Sequence, residues 1–266
     1  MRNPAVAGAF YPGGEQELID VVDGYLARAE TTPSKACAVV SPHAGYVYSG
    51  GVAGEVFGQV EVPGSVVVLG PKHRYAGERA AVSHGSGWRF PFGEVPIDGE
   101  LAGAIVDETF AVFDNLAHRD EHSLEVQVPF IWRRNPQVRI TAVALGMHRL
   151  DELEEFGKGL ARAVEKTGDP VLLVASTDMS HQVPEDEAGR LDDMAIQRIL
   201  AMDPSGLYDT VMTHKISMCG VIPTTAVLHA ALALGSTEAR LVRYANSGEV
   251  SGDRRHVVGY AGLIVS

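Results

Sequence analysis

The sequence has few cysteines, no basic cluster and no long apolar run, and each absence excludes a class of protein. Only two cysteines occur among 266 residues, which rules out a disulfide framework and favours a reducing compartment. The 22 basic residues face 34 acidic ones, a formal charge of −12, which argues against a nucleic-acid or anionic membrane surface. No apolar run reaches the ~20 residues that a membrane helix needs, and no signal peptide is visible. We therefore expect a cytoplasmic protein with neither nucleic acid nor membrane as a partner.

Short apolar runs alternate with amphipathic stretches along the chain. Strands are predicted at 36–41, 65–70, 79–83, 138–145, 170–175, 239–245 and 257–265. Helices are predicted at 15–29, 98–109, 151–166, 185–202 and 223–234. Asp98 and Asp151 are candidate N-caps, and residues 87–96 are predicted to form a loop or hairpin. The alternation predicts one α/β domain over residues 1–266, a three-layer α/β/α sandwich around a mainly parallel mixed sheet.

Three predicted strands run directly into a histidine. The strand at 36–41 leads to His43, the strand at 65–70 leads to His73, and the strand at 170–175 leads to Asp178 and His181. In open α/β sheets, ligands bind beyond the carboxyl ends of the strands, so these side chains are expected to share a site. Neutral imidazoles are the commonest metal ligands. The pattern predicts a metal centre that uses His43 and His73, with His181 as a proton-transfer group.

A third, anionic ligand would complete such a centre. Cys219 lies between two helical stretches beside Gly220, and a thiolate there would bind metal, although a free cysteine is usually a small buried hydrophobe. Asp178 precedes His181 by three residues, so its carboxylate could orient the imidazole ring or could cap a helix. The sequence alone leaves both alternatives open.

A second constellation competes with this one. The stretch His118-Arg-Asp-Glu-His122 has the H-x-x-E-H spacing of inverted zinc proteases, with Glu121 as the base. Asp120 has the character of an N-cap, which would leave His118 outside the helix that this reading requires. A zinc hydrolase is therefore an alternative. Independently of that reading, His122 and Glu125 stand at i and i+3 and can point into one pocket.

Seven short motifs, in this order along the chain, resemble those of the Memo family, whose microbial members are also called AmmeMemoRadiSam system protein B. The motifs are Ala7-Gly-Ala-Phe-Tyr-Pro12, Pro42-His-Ala-Gly-Tyr46, Leu69-Gly-Pro-Lys-His73, Asp120-Glu-His-Ser-Leu-Glu125, Ser176-Thr-Asp-Met-Ser-His181, Met218-Cys-Gly220 and Tyr244-Ala-Asn-Ser-Gly248. They cover nearly the whole chain. The family is similar in fold to the class III, non-haem-iron extradiol dioxygenases.

The resemblance implies one transition-metal ion, iron or copper, with zinc as a further option. His43, His73 and Cys219 match the metal-ligand positions of the family. The dioxygenases have a carboxylate where this chain has Cys219. A thiolate is softer and favours copper(I), zinc or a differently tuned iron, so ring-cleaving activity does not follow from the shared scaffold.

The resemblance also implies roles for the residues that line the cleft beside the metal. His181, with Asp178 beside it, matches the acid/base position of the dioxygenases, and His122, Glu125 and Tyr46 are expected to contact the substrate. Two functions are implied. The first is redox or oxygenase-type chemistry on a small molecule. The second is a non-catalytic adaptor that binds a peptide or protein in the same cleft, with AMMECR-type and radical SAM proteins as partners.

Overall fold

A nine-stranded mixed sheet organises the chain in the computed structural model, which describes residues 1–266. The strands are β1 (Ala38–Ser41), β2 (Ser65–Pro71), β3 (Ala80–Val82), β4 (Gly87–Phe90), β5 (Gly93–Pro96), β6 (Val112–Phe113), β7 (Arg139–Leu145), β8 (Val171–Ser176), β9 (His181–Val183), β10 (Ala239–Asn246) and β11 (Val257–Val265). The sheet order is β10-β11-β1-β8-β2-β7-β3-β6, and β9 pairs with β11. β4 and β5 form a separate hairpin within the predicted segment 87–96.

The centre of the sheet is parallel and apolar. β1, β8, β2 and β7 are consecutive neighbours that run in the same direction, whereas β10, β11 and β3 join by antiparallel pairing. β1 and β2 are buried along their whole length, as expected for strands covered on both faces. The predicted α/β class with a mainly parallel mixed sheet is confirmed.

Helices cover the sheet on both sides. They are α1 (Glu15–Leu26), α2 (Tyr46–Gly58), α3 (Gly99–Glu108), α4 (Val128–Arg134), α5 (Leu150–Thr167), α6 (Glu185–Leu200), α7 (Pro204–His214), α8 (Val221–Ala233) and α9 (Gly248–Ser251). On β11, the Gly262 position faces Val52 and Val56 of α2, whereas the Gly259 position faces Asp192 of α6. The two positions are three residues apart, so α2 and α6 lie on opposite faces of the sheet. None of the helices combines the length and the apolar character needed to cross a bilayer.

The structure differs from the sequence predictions in two places: it has a helix that was not predicted, and one helix has a different N-cap. Helix α2 contains glycines at 50, 51, 54 and 58, so its sequence does not resemble a helix, yet these glycines are what allow it to pack. A Cβ atom at Gly54 would lie 2.5 Å from Tyr25 of α1, so only glycine permits this close approach of the two helices. Asp98 caps α3 as predicted, but Asp151 is not an N-cap, because α5 begins at Leu150 and Arg149 takes the N-cap position.

Candidate metal site

Three histidines meet at the carboxyl edge of the parallel strands. His43 follows β1 and His73 follows β2, with β8 lying between the two strands. His122 comes from the loop that precedes α4. One ligand atom from each of His43, His73 and His122 lies within 4.8 Å of the other two. Two nitrogens that bind the same ion at ~2.1 Å can be at most about 4.2 Å apart, so an ion bound by all three would draw the rings slightly closer.

Ser123 fixes the loop that carries His122. Its hydroxyl donates to the carbonyl of Pro71 at the end of β2, and its own carbonyl accepts from the hydroxyl of Ser176 at the end of β8. The loop therefore docks on two strand ends at once. As a result the rings of His73 and His122 stack with centroids 4.7 Å apart, and the ring of His43 stands edge-on to both.

The protein determines which nitrogen of His43 carries the proton. Nδ1 of His43 lies 2.9 Å from the hydroxyl oxygen of Ser176. That hydroxyl has a single proton, which it donates to the carbonyl of Ser123 at 2.6 Å. Ser176 can therefore only accept from His43, so the proton is on Nδ1 and the lone pair is on Nε2. A neutral imidazole with an exposed Nε2 lone pair is the form that binds metal.

Glu121 does the same for His73. The buried carboxylate accepts from Nδ1 of His73 at 2.8 Å and from its backbone N–H at 2.6 Å. Burial raises the pKa of Glu121, but hydrogen bonds from His73 and Ser123 outweigh it and bring the pKa to about 2. The ionised carboxylate is an acceptor only, so Nδ1 of His73 carries a proton and Nε2 is the ring nitrogen left for a metal ion. Carboxylate–histidine pairs of this kind are usual behind metal ligands.

Burial keeps the other two rings neutral. The pKa of His43 is well below its usual value because of burial first and then the neighbouring His122 and His73. Burial likewise lowers the pKa of His122 to about 4, although Glu121 opposes the shift. At neutral pH both rings therefore offer lone pairs rather than positive charge.

Cys219 flanks this group. Its sulfur lies 3.1 Å from Nε2 of His43, and the backbone N–H of Asp178 points at it from 3.3 Å. The three mutually close ligand atoms, however, belong to His43, His73 and His122. His122, which the sequence analysis expected to contact substrate, is therefore a candidate metal ligand in the structure. Burial, and then the charge of Asp178, raise the pKa of the Cys219 thiol, so without metal this side chain is protonated.

His181, predicted to transfer protons, and Asp178, predicted to orient its ring or to cap a helix, come from the segment that follows β8. His181 opens β9, and its Nδ1 donates to the carbonyl of Ser217 at 2.9 Å, which leaves Nε2 as the nitrogen that the protein does not engage. Asp178 does not bond to the ring of His181. Its carboxylate instead accepts from the backbone N–H of His43 at 2.7 Å. Burial raises the pKa of Asp178 to about 6 against the opposing effect of the His43 N–H and of His181.

Glu125 and Tyr46, both expected to contact substrate, are occupied within the protein. Glu125 accepts hydrogen bonds from the backbone of Ala5 and Val6 and from the hydroxyl of Tyr11, and it pairs with Arg2. The Tyr46 hydroxyl donates to a backbone carbonyl at 2.7 Å, and its ring packs in the aromatic core. In this structure Glu125 fastens the N-terminal segment, and Tyr46 is a core residue.

The alternative hydrolase pair is separated. His118 is fully buried, its Nε2 lies 3.0 Å from the carbonyl of Ala81, and its ring packs against Trp88. It does not belong to the metal-capable group. Glu121, which that alternative treats as a base, is engaged with His73.

The sequence therefore predicted that the site lies at the ends of the strands, but it did not predict which residues hydrogen-bond to the histidine rings. Ser176 opens one of the motifs but had no predicted role, Ser217 precedes another motif, and Glu121 had a different expected role. An acidic residue directly before His122 was the one available signal. Which histidine Glu121 would contact depends on the path of the loop, and spacing does not encode that path.

An α/β sandwich with a histidine cluster at its carboxyl edge defines a candidate metalloprotein. The chain matches the family model described as Memo-like protein over residues 2–264, and it belongs to the Memo family. A MEMO1 family protein of Methanosarcina barkeri is 40% identical over 274 residues and covers 100% of both chains. Those of Methanopyrus kandleri (39% over 277 residues) and Aquifex aeolicus (38% over 268) each cover 99% of this chain and 98% of the relative.

A solved structure shares the fold. The crystal structure of an uncharacterized protein from Escherichia coli K12 superposes with a TM-score of 0.57, covering 85% of this chain and 99% of its own. Identity is 14%, so the likeness concerns the architecture alone.

Proposed function

We propose that the protein binds one transition-metal ion, iron or copper, through His43, His73 and His122, with Cys219 as an adjacent sulfur donor. The observation that carries this proposal is the fixed tautomer of two rings. Ser176 and Glu121 hold the Nδ1 protons of His43 and His73, so their Nε2 lone pairs are available to a common ion. This donor set fits a borderline metal, because imidazole suits iron, copper and zinc, and a thiolate adds preference for copper(I) or zinc.

Redox or oxygenase-type chemistry is the proposed use of the site. A bound iron or copper ion would supply electron transfer or oxygen activation. The chain contributes His181, whose Nε2 is free because Nδ1 is held by Ser217, so it can accept or return a proton beside the centre. Asp178 anchors the backbone of His43 and keeps that ligand in position.

The test is metal analysis after anaerobic purification. Wild-type protein should hold one ion per chain, and His43→Ala and His73→Ala should lose it. His256→Ala is the matched control, since that histidine is exposed and far along the chain from the cluster. Anomalous scattering from crystals soaked with Fe(II) or Cu(I) would show which side chains contact the ion.

The same samples separate this proposal from the adaptor function. If AMMECR-type or radical SAM proteins bind the metal-free variants as tightly as the wild type, the cleft serves partner binding without metal. Full metal content in His43→Ala or His73→Ala would refute the site itself.

A further inference from the structure

Arg2 makes a set of contacts that converge on the loop between His118 and Glu125. Its Nε donates to the carbonyl of His118 at 2.6 Å, and its Nη2 donates to the carbonyl of Glu121 at 2.8 Å. Its Nη1 lies 2.6 Å from the carboxylate of Glu125, and only 10% of the arginine side chain is exposed. One guanidinium thus contacts three points of the loop that carries His122.

The arginine itself is held rigidly. Its guanidinium carbon lies 4.2 Å from the centre of the Trp88 ring, a cation–π contact. Its backbone donates to Gly87 and accepts from Arg89, which adds the N-terminal segment to the β4–β5 hairpin. The contacts on the loop are therefore made from a fixed base rather than from a mobile surface side chain.

Glu125, which belongs to the loop, binds the N-terminal segment in return. It receives the backbone N–H groups of Ala5 and Val6 in addition to Arg2, so the N-terminal segment and the loop are bound to each other across ~120 positions of sequence. Further along this segment, the ring of Phe10 packs on the ring of His122 at 4.8 Å. Both Glu121, which orients His73, and His122 lie between His118 and Glu125, the stretch that the N-terminal segment holds in place.

The geometry requires arginine. The two carbonyl oxygens and the carboxylate lie around one planar group, and the fork of a guanidinium can serve three acceptors at once. A lysine ammonium would keep the charge opposite Glu125 but could not satisfy both carbonyls in the same arrangement.

We infer that Arg2, together with Glu125, is a positioning residue for the metal site. It sets the loop so that Glu121 reaches His73 and His122 joins the other two rings. The inference rests on the proposed metal binding by His43, His73 and His122. It assigns a function to the N-terminal segment, which contributes no ligand of its own.

The experiment compares Arg2→Lys with Arg89→Lys. Arg89 lies on the hairpin that Arg2 joins, but its side chain is half exposed and bonds only to the side chains of Asn3 and Glu94, so its conservative replacement is a matched control. Zn²⁺ affinity is measured by competition with a chromophoric chelator, and Cu²⁺-loaded samples are examined by electron paramagnetic resonance for the number of coordinating nitrogens. Arg2→Lys should weaken Zn²⁺ binding about 10- to 100-fold, the usual effect of losing a group behind a metal ligand. It should also reduce the coordinated nitrogens from three to two.

A second variant covers the case in which Arg2→Lys folds poorly. The pair Arg2→Met and Glu125→Gln removes both charges together, so no buried carboxylate is left unpaired, and it should show the same loss of Zn²⁺ affinity. Wild-type affinity and three coordinated nitrogens in a folded Arg2 variant would overturn the positioning role while leaving the metal site intact. Absence of both Zn²⁺ and Cu²⁺ binding by the wild type would instead overturn the proposed function.

Discussion

Replacement of His118 by phenylalanine should remove a defined part of the acid sensitivity of the fold. The ring is fully buried, its Nδ1 has no hydrogen-bond partner, and burial lowers its pKa to about 4 although the bond to Ala81 opposes the shift. In the unfolded chain the same histidine titrates near 6.5. Protons therefore bind the unfolded state more tightly. The stabilising effect of the neutral ring is complete above pH ~6.5 and is lost as the pH falls to about 4.

The size of the effect follows from the two pKa values. A difference of about 2.5 pKa units at ~1.36 kcal/mol per unit corresponds to ~3 kcal/mol of unfolding free energy. His118→Phe should cost about 1–3 kcal/mol at pH 7.5, because the carbonyl of Ala81 loses its donor. By pH 4 the deficit relative to the wild type should shrink by ~3 kcal/mol, since phenylalanine takes up no proton.

Urea unfolding of metal-free protein at several pH values between 7.5 and 4 measures this difference. The wild type and the variant share all other histidines, so the difference between their pH profiles isolates His118. Parallel profiles would refute the argument, because they would mean that the buried ring does not titrate between the two states. The same variant should retain metal, and loss of metal would restore the hydrolase alternative.

Three further predictions concern the site and its support. Glu121→Gln should weaken metal binding about 10- to 100-fold in a chelator competition, because an amide in that position presents an N–H to the backbone N–H of His73. Cys219→Ser should retain an ion on the three rings but lose the sulfur-to-metal charge-transfer absorption of the Cu²⁺ form; an unchanged spectrum would exclude the sulfur as a donor. Gly259→Ala should lower unfolding free energy by about 1–3 kcal/mol, because the new Cβ would overlap the carboxylate of Asp192, and thermal unfolding would show it.

Local patterns predicted the parts of the fold that depend on hydrophobic periodicity. The buried strands at the centre of the sheet are continuous apolar runs, and α5 has apolar residues at helical spacing, so each could be recognised in isolation. Helix α2 could not, because two of its glycines, Gly50 and Gly54, are explained only by the approach of Tyr25 from α1. The identity of that neighbour is a tertiary fact, and composition alone reads such a segment as a loop.

The site divides along the same line. Parallel strands deliver their following residues to one edge, so the convergence of His43 and His73 could be expected from topology. The position of His122 could not, because its loop is held by a hydrogen bond from Ser123 to Pro71 at the end of β2 and by one from Arg2 to Glu121. The contacts of Glu125 with Ala5 and Val6, ~120 residues away at the N-terminus, are likewise beyond what local spacing predicts.

The proton on Cys219 decides which chemistry the cluster can support. In the metal-free protein, burial and Asp178 favour the thiol, so the anion that contacts the rings is Glu121, which lies 2.8 Å from Nδ1 of His73 and 3.5 Å from Nδ1 of His122. An ion bound to three neutral rings alone would keep its full positive charge and remain a strong Lewis acid. An ion that displaces the thiol proton would gain a soft anionic ligand, which favours copper(I) or zinc over a site primed for oxygen. Because Nε2 of His43 lies 3.1 Å from the sulfur, an ion on that nitrogen would lie close to the thiol, so we expect metal binding to be coupled to deprotonation of Cys219.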